Sequence, residues 1–191
     1  MSDRLTERLN QILPTVTSDD FLSSRGLGNE IAFYIFDYPP EAELRIREHV
    51  QFLLEHIPKQ RPGIRVAHVN LFDLVLDHLR QRKLLDKAIT MQKTKGDEFA
   101  LKQLKAVLDP EKVKYIFAEF AKPDQHDLIL VSGVGSVYPM LRAHTLLNNL
   151  HSVMGQTPLV MFYPGRYDGQ SLRLFGKLRN DNYYRAFKLV P

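Results

Sequence analysis

The chain has 191 residues, 44% of them hydrophobic and 25% charged, with 26 Lys+Arg against 22 Asp+Glu and no cysteine. That length suits one domain with a proper core. The missing cysteines exclude disulfides, thiolate nucleophiles, Fe–S clusters and Cys-ligated zinc. Eight tyrosines and eleven phenylalanines argue against disorder, and no apolar stretch nears the roughly 20 residues of a membrane span. Met1 to Arg8 mixes charges of both signs without an apolar core, so nothing there resembles a secretory signal and the expected compartment is the cytoplasm. The net charge of +4 is unevenly placed. It cancels over residues 1–163, whereas 164–191 holds Arg166, Arg173, Lys177, Arg179, Arg185 and Lys188 against Asp168 and Asp181.

In chain order, Leu5, Leu9, Ile12 and Leu13 form a short helical stripe ending before Pro14, and Phe21-Leu22 follows Ser18-Asp19-Asp20, so residues 1–28 read as N-terminal packing helices. The aromatic-rich run Ile31 to Phe36, bounded by Asn29-Glu30 and by Asp37-Tyr38-Pro39-Pro40, reads as a strand buried on both faces. A helix then starts near Pro40 and runs, on the stripe Leu44, Val50, Leu54 and Ile57, to Pro58. Ile64 to Val69 predicts a second strand. Asn70 caps the helical pattern Leu71, Leu74, Val75, His78 and Leu79.

Residues 80–119 predict two or three surface helices, broken at Gly96 and Asp109-Pro110. Asp127 to Val131 is the clearest strand, leading through Ser132-Gly133-Val134-Gly135-Ser136 into a helix near 137–151. Pro158 to Tyr163 predicts another strand, closed by Pro164-Gly165, and Tyr183 to Val190 a last strand at an edge. Strands alternating with helices predict a single α/β domain over 1–191: a mostly parallel sheet flanked by helices, a Rossmann-like three-layer arrangement.

Polar residues gather after the strands. In a parallel sheet these loops share one edge, where ligands bind at a topological switch point, so Asp37, Asn70, Ser132, Gly133 and Gly135 define a candidate ligand crevice. Turn and capping chemistry is the ordinary explanation for any one of these residues alone, and less so for the cluster. No P-loop is present: Gly176-Lys177-Leu178 lacks both the hydroxyl and the first glycine. Gly133-Val134-Gly135 starts a dinucleotide fingerprint whose third position is Tyr138, too bulky for close helix packing. The seven histidines show no chelating spacing, and no Gly-x-Ser-x-Gly elbow exists, so neither a metal, a cofactor nor a catalytic residue is signalled. Residues 164–187 read as a recognition segment, because arginine beside tyrosine offers contact area and directional hydrogen bonds. DNA contact through the basic tail is a further reading, and it requires affinity that falls steeply with salt.

Four blocks of residues carry a family resemblance. They are Asn29-Glu30 with Tyr34 to Pro39; Gly133 to Pro139 with Leu141-Arg142, His144 and Leu146 to Leu150; Met161 to Gly165 with Tyr167 to Gln170; and Asn182 to Phe187. Together they resemble the BrxB family of bacterial BREX (bacteriophage exclusion) defence systems, over most of the chain and in order, with 58–125 contributing little. The resemblance implies a small cytoplasmic component of a phage-defence operon. It would work beside a PglZ-like protein of the alkaline-phosphatase superfamily, a large AAA-type ATPase and an adenine-specific DNA methyltransferase. It carries over no catalytic residue. The leading expectation is therefore a non-enzymatic adaptor that binds another BREX protein, the PglZ-like subunit first and the ATPase next. Arg142, Arg166, Tyr167, Asp168, Arg173 and Arg185 are the expected contacts. The alternative is a nucleotide- or phosphate-responsive module, or a cryptic enzyme, using the crevice.

Overall fold

The computed structural model describes residues 3–23, 32–180 and 186–191. Asn29-Glu30, Ile31, Tyr183, Tyr184 and Arg185, all invoked above, lie outside the described residues. Helix α1 (Arg4–Val16) is capped by the Asp3 carboxylate, which accepts the Thr6 N–H at 2.7 Å. It does not stop before Pro14 as expected. Val16 is wholly buried, and the Thr17 N–H and hydroxyl both donate to the Leu13 carbonyl, so packing and a closed last turn carry the helix past the proline. The short α2 (Asp19–Leu22) follows, capped by Ser18.

Strand β1 (Phe33–Tyr38) lies two residues further along than its hydrophobic run suggested. The cause is its partner: parallel pairing with β4 (Leu159–Tyr167) brings Asp37 opposite Tyr163 and Tyr38 opposite Pro164. After a 3-10 turn at Pro40–Ala42, α3 (Glu43–Gln60) buries Ile46, Val50, Leu53 and Ile57. Burial of such aliphatic side chains contributes about 1.5–3 kcal/mol each. Strand β2 (Val66–Asn70) runs directly into α4 (Leu71–Gln81), with the Asn70 Oδ1 accepting the Phe72 N–H at 3.0 Å.

Three helices follow, α5 (Leu85–Lys95), α6 (Asp97–Val107) and α7 (Pro110–Ala121). Only α7 buries a full apolar stripe, Val113, Phe117 and Ala121, while α5 buries no side chain, so the first two are the surface helices their charge implied. Strand β3 (Leu128–Ser132) is buried along its whole length. The single helix expected near 137–151 is instead a one-turn α8 (Val134–Val137) and a separate α9 (Ala143–Met154). Tyr138 is extended, as the residue before a proline is driven to be, and Pro139 ends the first piece.

The parallel strands are ordered β2-β3-β4-β1-β7, where β7 (Phe187–Lys188) forms the edge beside β1. One face packs on α4, α7 and α9 through Val69, Ile129, Val131, Leu159, Met161 and Ile35. The other packs on α1 and α3 through Phe36, Leu128, Leu130, Val160 and Phe162. This is the three-layer arrangement the alternating pattern predicts. The chain steps from β2 to β3 to β4 in one direction across the sheet, whereas β1 connects back over β4 and β3 to β2 through the opposite layer. The direction therefore reverses between β1 and β4, and their carboxyl ends flank the switch point.

Strand β4 overturns the expectation that Pro164-Gly165 closes it. It runs to Tyr167 and turns back into β5 (Leu172–Leu174) and β6 (Leu178–Asn180), an antiparallel flange beyond the parallel sheet. Pro164 is tolerated because it stands at the last parallel pair, and its carbonyl still accepts the Phe175 N–H at 2.8 Å.

Candidate functional site

The flange is built by close approach and alternation. Gly165 lies so near β5 that a Cβ on it would stand 2.1 Å from the Arg173 carbonyl oxygen, so only glycine permits the pairing. Along β4 and β5, Tyr167, Leu172 and Leu174 turn inward and are buried, while Arg166 and Arg173 turn outward and are exposed. Arg166 and Arg173 are direct register partners, and Arg173 in turn pairs with Arg179 on β6. At the turn, Phe175 adopts a left-handed conformation (φ 55°) and stays 37% exposed. Its ring meets that of Tyr138 edge-on, at 6.3 Å between centroids.

A cleft of about 760 Å³ opens at the switch point, on one side of this flange. Its lining includes Arg4, Arg8, Asp37, Arg166, Arg173 and Lys188. The floor is fixed by a partly buried ion pair, Arg8 to Asp37 at 2.7 Å, with the two side chains 14% and 11% exposed. The Arg8 guanidinium also donates to the Asp37 carbonyl at 2.7 Å and to the Val190 carbonyl at 3.0 Å. The second Asp37 oxygen accepts the Tyr167 N–H at 3.0 Å and lies 3.8 Å from the Lys188 Nζ.

On the rim, Asp168 accepts the N–H groups of Gln170 (3.0 Å) and Ser171 (2.7 Å) and the Ser171 hydroxyl (2.8 Å). These bonds, with Arg173 nearby, hold its carboxyl down at about 2. Both carboxylate side chains in the lining are thus occupied internally. The side chains of Arg4 and Arg166 make no hydrogen bond or ion pair among the described residues.

Beyond the Phe175 turn is a smaller cavity of about 230 Å³, lined by Tyr138, Arg142, Ala143, Tyr163, Leu174, Lys177 and Leu178. Arg142, Lys177 and Leu178 are exposed there. The expected contact residues therefore divide: Arg166, Asp168 and Arg173 belong to the large cleft and Arg142 to the small one. Tyr167 is a correction. It is 1% exposed, and its hydroxyl donates to the Ala186 carbonyl, so its ring anchors the C-terminal segment and is not offered at the surface.

The expected crevice residues divide as well. Asn70, Ser132 and Gly133 meet at the ends of β2 and β3, whereas Asp37 stands across β4 from them. A Cβ at Gly133 would fall 2.1 Å from the Asn70 Oδ1, and Gly133 itself takes φ 74°. A Cβ at Gly135 would meet the Pro164 and Phe175 side chains at 3.0 Å. Internal packing thus accounts for both glycines of the incomplete fingerprint. The Ser132 hydroxyl is 2.8 Å from the His68 Nε2, in a partly buried contact where burial pushes the His68 imidazole below its ordinary pKa. Among the described residues no group of three or more His, Asp or Glu is gathered to hold a metal ion, and no helix is long and apolar enough to cross a membrane.

Residues 67–189, which contain the flange and the whole lining of the smaller cavity, match the family described as BREX protein BrxB. A BREX protein BrxB of Bacillus cereus (strain H3081.97) is 41% identical over 191 residues, covering 98% of each chain. One of Escherichia coli O9:H4 (strain HS) is 40% identical over 187 residues, covering 98% of this chain and 92% of its own. The chain belongs to the BrxB family. It is thereby a component of a BREX phage-defence system, as the four sequence blocks suggested. No solved structure matches it. For a BrxB-family chain, three features of this site went unseen in sequence: Arg8, the register row of arginines, and the Phe175 turn. The alternation Leu172-Arg173-Leu174 and Leu178-Arg179 around Phe175-Gly176-Lys177 is the hairpin signal that would have revealed the last two.

Proposed function

We propose that this chain is a non-enzymatic assembly subunit of its BREX system, docking another BREX protein through the β5–β6 flange. The PglZ-like subunit is the first candidate and the AAA-type ATPase the second. The observation that carries this reading is the composition of the flange tip. Leu178 (40% exposed) stands beside the exposed cations Arg142 and Lys177, around a small cavity at the carboxyl edge. An apolar anchor ringed by arginine and lysine has the anatomy of a contact hot spot. Support for a role without catalysis comes from the strand ends. Asp37 is tied to Arg8 and Tyr167, Asn70 caps α4, and Ser132 bonds His68.

Co-expression of the tagged chain with the other proteins of its operon, followed by pull-down and mass spectrometry, tests the reading. Wild type recovers one partner stably and the double variant Arg142→Glu/Leu178→Asp, with an unchanged melting temperature, loses it. Equal recovery by both, or recovery of no partner, overturns the assignment.

A further inference from the structure

The second surface is the outer face of the flange where it lines the large cleft. Arg166 and Arg173 are direct register partners across β4 and β5, and Arg179 occupies the next place in the same row on β6. Like charges placed directly opposite destabilise a strand pair, so such a row is an arrangement the fold alone disfavours. Adjacent strands lie about 4.8 Å apart, which spreads the three positions over about 10 Å. Arg4, Arg8 and Lys188 reach the same cleft from α1 and β7. Of the two carboxylate side chains in the lining, Asp37 is paired with Arg8, and Asp168, although near Arg173, is held by the Gln170 and Ser171 N–H groups and the Ser171 hydroxyl. The surplus is therefore cationic and drawn out in a line, which suits a chain of anions better than a single one.

Arginine forks match phosphate oxygens bidentately. The cleft lining also holds Phe175, turned out by its left-handed backbone. The negative face of an aromatic ring stacks on a base and offers nothing to a carboxylate. We infer that this cleft binds a short run of single-stranded nucleic acid, with successive phosphates on Arg166 and Arg173 and a base on Phe175. This activity is separate from partner docking, since Arg142 and Leu178 line the other cavity.

The test is fluorescence anisotropy of the full chain with a labelled oligothymidylate of about 15 nucleotides, near the upper site size of single-strand binders, over about 50 to 200 mM salt. The expected result is binding whose log affinity falls linearly with log salt. The Arg166→Gln/Arg173→Gln variant lowers that slope by about 1.4, at about 0.7 for each phosphate no longer neutralised. Phe175→Leu weakens binding at least about fivefold, the lower end of what one stacked base contributes. Both variants are first shown to melt cooperatively, and both still recover the partner that Arg142→Glu/Leu178→Asp loses. No binding, salt-independent binding, or binding unmoved by the arginine pair overturns the inference. Competition by thymidine monophosphate or inorganic phosphate at the same molar concentration as the oligonucleotide overturns it in favour of a single-phosphate site. Equal competition by polyglutamate overturns it in favour of an acidic polypeptide.

Discussion

Arg8 and Asp37 meet 2.7 Å apart where the first helix, the end of the first strand and the C-terminal segment converge. One guanidinium reaches the Asp37 carboxylate, the Asp37 carbonyl and the Val190 carbonyl, and it lies 4.6 Å above the Phe36 ring. The pair thus joins residues 29 and 182 positions apart from Arg8 and sets the floor of the larger cleft.

Removing one member of a largely buried pair leaves the other charge without compensation. Asp37→Ala is therefore expected to cost about 3 kcal/mol in denaturant unfolding, and Arg8→Leu a similar amount. The double variant costs clearly less than the two singles added, because neither charge is then stranded. Strict additivity would show that Arg8 and Asp37 act separately.

The Asn70–Gly133 contact couples two loops in the same way. Asn70→Ala removes the cap of α4, an expected loss of about 1 kcal/mol. Gly133→Ala places a methyl 2.1 Å from the Asn70 Oδ1 at a left-handed position, with an expected loss of about 3 kcal/mol from overlap and backbone strain. In the Asn70→Ala background the Gly133→Ala penalty shrinks, since the colliding oxygen is gone. An undiminished penalty would place the whole cost in the backbone.

These two relationships mark where sequence reading succeeds and where it stops. Asn70 was legible because capping is local: an Asn directly before an apolar helical stripe announces its own role. The buried parallel strands were legible because each is a continuous apolar run between breakers. Arg8 was not, since both of its partners are distant in the chain and a lone arginine on an amphipathic helix looks like a solvated face. Pro164 misled because a proline lacks only its donor, and at the end of the parallel ladder no donor is needed. The arginine row was present as alternation at 172–174 and 178–179, but only register turns alternation into a row. Arg166, Asp168 and Arg173 were found as types of residue, and their division from Arg142 by the flange needed the fold.

Four histidines make the fold sensitive to mild acid. Burial pushes His49, His68, His78 and His144 below the ordinary imidazole pKa of 6.5. Their folded values lie under the unfolded ones, so below about pH 6.5 the unfolded chain binds more protons and stability falls as pH falls. Unfolding free energy is expected to be level above about pH 7 and to decline from about 6.5 downward, by at most about 1.4 kcal/mol per pH unit for each histidine involved. His68→Gln keeps a polar partner for the Ser132 hydroxyl and removes one titrating group, so it flattens part of the slope. A decline unchanged by His68→Gln would remove His68 from the acid response.

The opposed arginines give a prediction of opposite sign to the usual effect of mutation. Arg173 faces Arg166 directly across the β4–β5 pair, so its replacement relieves an unfavourable pair of like charges. Threonine suits a half-exposed strand and leaves the inward Leu172 and Leu174 undisturbed. Arg173→Thr is therefore expected to raise stability by about 0.5 kcal/mol at low salt, read by denaturant unfolding. The gain shrinks as salt rises, because exposed charges at this spacing are screened. The nearby Asp168 works against the gain, and its carboxylate is ionised throughout the neutral range, so the Asp168→Asn background gives the larger increase. A residue whose loss stabilises the free chain while weakening ligand binding is shaped by something other than folding. If Arg173→Thr instead destabilises in low salt, the row is held by contacts within the chain and its charges are not in surplus.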